Sequence, residues 1–144
     1  MLFRSCDEMK ARELAVRASQ GHYQKPLGED LLSLVKGLGE FKGRVVLRFG
    51  DTLDPSCFSE AEDVAQALDR QILNNYELYD SNYHALFLHN PRLYTEMTGH
   101  ADNQHHDERF AARLQRCEEL HQPLFLAMYA NPAISKWQQA QKST

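Results

Sequence analysis

No apolar run in the 144 residues approaches the roughly 20 needed to cross a bilayer. The opening stretch, Met1 to Asp7, is too short and too soon acidic to read as a signal peptide. Membrane contact is therefore expected to be peripheral or supplied by further sequence. Cysteine is scarce. Cys6, Cys57 and Cys117 stand far apart, odd in number and without a C-x-x-C pair. That usage argues against a disulfide framework and predicts inert thiols in a reducing compartment. Positive charge is also short: 16 Lys and Arg face 20 Asp and Glu, for a net charge of -4 and a pI of about 5.9. Such a surface draws neither nucleic acid nor an anionic bilayer by bulk electrostatics. Internal repeats and low-complexity stretches are absent as well.

What is present is an ordinary globular balance, 42% apolar and 25% charged, enough for one domain or a large piece of one. Most of it has helical spacing. Asp7 to about Ala18 places Ala11, Leu14, Ala15 and Ala18 on one small-sided face, with Gly21 as the stop. Glu29 to Gly37 carries Leu31, Leu34, Val35 and Leu38, and Gly37, Gly39 and Gly43 punctuate the turn that follows. Ser59, with Glu62 three positions on, reads as the capping box of a helix striped by Ala61, Val64, Ala65, Leu68, Ile72 and Tyr76. Asp80-Ser81-Asn82 can cap a short helix through Leu88, and Asn90-Pro91 starts another to about Met97. A polar stretch from Gly99 to Asp107 leads into a helix over 107–120. A last helix starts near Pro123, breaks at Asn131-Pro132 and resumes through Trp137.

One segment departs from this pattern. Arg44-Val45-Val46-Leu47-Arg48-Phe49 is short, β-branched and bounded by Gly43 and Gly50, so it predicts a strand. No second strand of equal strength exists in the chain. A lone strand cannot satisfy its own backbone groups, so the reading implies a sheet supplied from elsewhere.

Five segments, in this order, resemble the distal half of bacterial acyltransferases that acylate glycerol phosphates (1-acylglycerol-3-phosphate and glycerol-3-phosphate acyltransferases). They are Cys6-Asp7-Glu8-Met9-Lys10-Ala11-Arg12-Glu13-Leu14; Tyr23 to Leu31 with Gly37 to Gly43; Val45 to Gly50; Val64 to Ile72 with Asn75-Tyr76 and Ser81-Asn82-Tyr83; and Met128-Tyr129-Ala130-Asn131-Pro132. After Gly50 the family commonly continues Glu-Pro-Leu, whereas this chain has Asp51-Thr52-Leu53. The resemblance implies a C-terminal fragment of an α/β acyltransferase fold plus a helical extension. The expected fold class is mainly α with one or two β-strands, divided into a distal acyltransferase-like part, 1–88, and a helical extension, 89–144. It also implies phospholipid synthesis at the inner face of the cytoplasmic membrane. An acyl thioester donor and a glycerol phosphate acceptor would be partners of a full-length protein only.

The family's chemistry rests on His-x-x-x-x-Asp, with the imidazole as general base and the carboxylate fixing its tautomer. A downstream Glu-Gly-x-Arg holds the glycerol phosphate through bidentate arginine. Neither occurs here. Five positions after His22, His84, His89, His100, His105, His106 and His121 stand Leu27, His89, Tyr94, His105, Phe110, Ala111 and Leu126. No catalytic or cofactor-binding residue transfers, no cofactor is expected, and the chain by itself is expected to be inactive.

Other constellations compete with blander readings. His100, Asp102, His105, His106 and Asp107 form the one dense set of metal-donor types, but at no specific spacing, and a solvated loop leading into a helix is the better account of them. Asp80, Ser81 and His84 are the right types for a hydrolytic set, yet too close in sequence to form one. Arg44, Val46 and Arg48, with Lys42 if the strand extends back, share a face that could meet a phosphate. Leu124, Phe125, Tyr129 and Trp137 could anchor a surface helix, though without its basic face. Two other readings of the whole chain are a free-standing helical interaction module that binds an acyltransferase or its own copy through the edge Arg44–Phe49, and a metal-binding domain using His100 to Asp107.

Overall fold

A computed structural model describes residues 7–39 and 44–142. Cys6, Lys42 and the Gly43 end of the turn lie outside the described residues. Among the described residues seven α-helices are formed: α1 Asp7–Gln20, α2 Glu29–Gly39, α3 Ala61–Asn75, α4 Asp80–His89, α5 Pro91–Thr98, α6 Glu108–Arg116 and α7 Gln122–Lys142. Single 3-10 turns occur at Pro55–Cys57 and Glu119–His121.

The helix starts and stops are chemical. Gly21 leaves α1 at φ 78°, and Gly99 ends α5 at φ 75°, a left-handed backbone that glycine adopts without a Cβ penalty. Asn90 caps α5 by accepting the Leu93 N–H, and Pro91 occupies the first turn, where no N–H is needed. Asp107 caps α6 through the Phe110 N–H.

The core gathers around α7, which packs most extensively on α4 and also on α1, α3 and α6. Leu86, Tyr94 and Phe125 are its largest fully buried side chains. Ala11, Ala85, Ala130 and Ala133 are fully buried too, so helix backbones approach closely there. Phe110, Phe125 and Tyr129 form an aromatic cluster with centroids 5.0 to 5.8 Å apart. Core residues come from both sides of position 88.

The chain is mainly helical, as its periodicity predicts, but four local expectations are corrected. First, Arg44–Phe49 is not a strand: residues 44–54 are irregular, and no strand pairing exists among the described residues. A strand is defined by its ladder, and no partner is offered here. Second, α3 starts at Ala61 with Glu60 in the cap position and no side-chain cap, so the Ser59–Glu62 box does not start it. Third, the helix after Asp107 stops at Arg116 instead of reaching residue 120. There the Gln122 amide donates to the carbonyls of Leu114 and Cys117, at 3.3 and 3.1 Å, and serves acceptors the helix end leaves open. Fourth, α7 runs unbroken through Pro132. The ring removes one intrahelical donor. The neighbouring Tyr129 carbonyl accepts from Asn82 Nδ2 at 2.8 Å, and burial of Ala130 and Ala133 holds the segment helical.

Candidate functional site

Helix α2 and the segment 44–51 are built differently from the rest. Helix α2 has ordinary amphipathic spacing, yet its apolar side chains meet solvent: Leu31 is 66% exposed, and Leu32, Leu34, Val35 and Leu38 are also exposed. Leu27 beside it is fully exposed. An apolar helix face of this size is normally covered.

The segment 44–51 exposes apolar side chains too. It lies along α3 and the start of α4, and bounds an open groove of about 720 Å³ lined by Val46, Leu68, Ile72, Tyr76 and Tyr79 among others. Three ties hold it. Arg44 and Arg48 both reach Glu77, at 3.1 and 2.8 Å. The Gln71 amide donates to the Asp51 carbonyl at 3.1 Å. Gly50 abuts the end of the Gln71 side chain, which a Cβ would displace. The hydrogen bond from Arg48, with the charges of Arg44 and Arg48, holds the Glu77 carboxyl below the usual carboxylate range.

Every residue from Arg44 to Gly50 is exposed. Arg44 and Arg48 turn to Glu77, and Val46 between them is the segment's least exposed apolar residue, at 37%. Val45, Leu47 and Phe49 are 64%, 63% and 87% exposed, and Val45 and Leu47 line the groove as well. The face predicted from alternation, Arg44-Val46-Arg48, is present, but its guanidinium groups are engaged by Glu77 rather than presented to a phosphate.

The histidine-rich loop resolves into separate contacts. His105 Nδ1 meets Asp80 Oδ1 at 2.9 Å, and its ring stacks on Tyr83. The His106 ring lies 4.8 Å from that of His84. The Asp107 carboxylate caps α6. No group of three metal-donor residues converges among the described residues, so His100, Asp102, His105, His106 and Asp107 are not brought around one point. Asp80, Ser81 and His84 do not form a relay either. Asp80 serves His105, while His84 Nδ1 accepts the Asp107 N–H at 3.0 Å. The long-range role of His84 has no local signal, because its partner is 23 residues away.

Two further expectations can be placed. Phe125 is fully buried and Tyr129 lies between Asp7 and Arg113, so they belong to the interior rather than to a surface anchor; Leu124 and Trp137 are half-buried. Burial and the Asp7 charge push the Tyr129 phenol far up. Cys57 is exposed, whereas Cys117 is buried and burial raises its thiol pKa, which keeps it unreactive. No helix among the described residues is long and apolar enough to cross a membrane.

Compared with protein-family models, curated proteins and solved structures, the chain has no match.

Proposed function

We propose that this chain is the distal structural portion of a glycerolipid acyltransferase of phospholipid synthesis, and that it contributes a folded cap and one strand rather than chemistry. The observation that carries this reading is the exposed apolar row Val45, Leu47 and Phe49 on an unladdered segment, together with the uncovered face of α2. Both surfaces have the character of interior. A sheet edge laid against 44–49 would satisfy its backbone and bury the row, and a neighbouring layer would cover Leu31, Leu34 and Leu38. The ordered resemblance of five segments names the family. The lack of His-x-x-x-x-Asp and Glu-Gly-x-Arg leaves the acyl thioester and glycerol phosphate to be handled by residues outside these 144.

A second reading is favoured by the closed core around α7, which draws nothing from α2 or residues 44–54. In it the chain is a free-standing helical module whose apolar face docks a partner or a second copy. An antibody against the chain, used on host lysate, separates the two. A band much larger than 16.6 kDa supports the acyltransferase reading, and a band at 16.6 kDa supports the module. Acyl transfer by the purified chain would sink the noncatalytic assignment under either.

A further inference from the structure

The loop between α5 and α6 lies against α4, and two histidine contacts hold it there. His105 pairs with Asp80 at the start of α4. Two residues on, the Asp107 N–H donates to His84 Nδ1 at 3.0 Å. Asp107 is also the residue that starts α6, and Phe110 in the first turn of α6 packs on the His84 ring with centroids 5.2 Å apart. One buried imidazole therefore anchors both the end of the loop and the beginning of a core helix.

The bond to Asp107 needs a lone pair on Nδ1. His84 is thus neutral and carries its proton on Nε2. Its ring sits in a residue only 5% exposed. The charged groups acting on it come from the loop, His106 and Asp107, while α6 presents Phe110. A second proton would go to Nδ1. It would face the Asp107 N–H donor to donor, and the buried cation would stand beside His106. Burial first, then His106, lowers the His84 pKa below its ordinary 6.5, opposed by the Asp107 hydrogen bond and charge.

We propose that His84 is a proton-operated latch: neutral, it holds the start of α6 on α4, and protonated, it lets that junction open. None of these residues lines the groove beside 44–51, so the latch stands whichever reading of the chain holds.

Amide hydrogen exchange by NMR on the whole chain, from about pH 7.5 to about 4.5, tests this, with each rate divided by its intrinsic value at that pH. Ring nitrogen shifts in the same samples report the tautomer and protonation of His84. The expected result is the Nε2–H tautomer at neutral pH. Protection of the Asp107 N–H then falls at least about tenfold, with its midpoint on the His84 titration. His84→Gln offers an acceptor oxygen that does not titrate, and it should flatten the profile. An Nδ1–H tautomer at neutral pH, or Asp107 protection that ignores the ring titration, overturns the latch. So does an unchanged profile in His84→Gln; if that variant fails to fold, the agreement or disagreement of the two wild-type midpoints decides.

Discussion

Asn82 shows how much one residue can bind together. It is buried on α4, its Oδ1 accepts the Tyr79 N–H at 2.9 Å, and its Nδ2 donates to the Tyr129 carbonyl on α7 at 2.8 Å. That carbonyl lies three residues before Pro132, where the helix has lost a donor. Asn82→Ala removes both bonds and strands buried polar groups, so it is expected to cost about 2–3 kcal/mol in a urea titration. His84 sets a pH dependence at the same scale. Its folded pKa is lowered, so between the folded and unfolded values the unfolded chain binds the extra proton. Its contribution is full above the unfolded value of about 6.5 and is lost as pH falls from there through the folded pKa. The urea midpoint of the wild type should therefore drop on acidification through that window, and His84→Gln should drop less.

At the scale of elements, the segment 44–51 is tied to α3 and to the connection between α3 and α4 by exposed ion pairs and one amide, not by burial. Exposed pairs add little to global stability, but here they fix where the segment lies. Glu77→Ala releases both Arg44 and Arg48. The unfolding midpoint should stay within error of the wild type, while trypsin should cut after Arg44 and Arg48 several-fold faster. Equal cleavage of the two proteins would show that the segment is held by something other than Glu77. The C-terminal end of helix α3 is also tied by Lys136 on α7, which reaches the carbonyls of Asn74 and Tyr76, at 3.3 and 2.7 Å. A cation there meets acceptors that the helix leaves open and the negative end of its dipole.

The whole molecule has a closed half and an open half. α7 is the axis of the closed half, with α1, α4, α5 and α6 contributing to one buried cluster. Truncations there leave cavities: Leu86→Ala should cost about 2–5 kcal/mol by denaturant unfolding. In the open half the same kind of change removes exposed apolar surface. Leu31→Ser with Leu34→Ser should leave the midpoint nearly unchanged and reduce self-association in light scattering. A large loss of stability in that double variant would mean that α2 is covered within the chain, against the reading of an uncovered face.

By itself, the sequence determined the elements whose causes are local. A helix closes its hydrogen bonds within a few residues, so apolar spacing, Gly21, Gly99, Asn90-Pro91 and Asp107 sufficed to place α1, α2, α5 and the start of α6. The strand expected over 44–49 was read from the same kind of local pattern and did not form, although Arg44 and Arg48 do meet one partner, Glu77. What the tertiary structure alone decided depends on partners far along the chain. Whether 44–49 becomes a strand rests on another edge, and none is present among the described residues. Whether Pro132 breaks α7 rests on packing, with Ala130 and Ala133 fully buried on either side of it. The histidines read as one metal-donor cluster because they are neighbours in sequence. Folding separates them, since His105 is drawn to Asp80 and the Asp107 backbone to His84, and a side chain's chemistry follows the neighbour it meets.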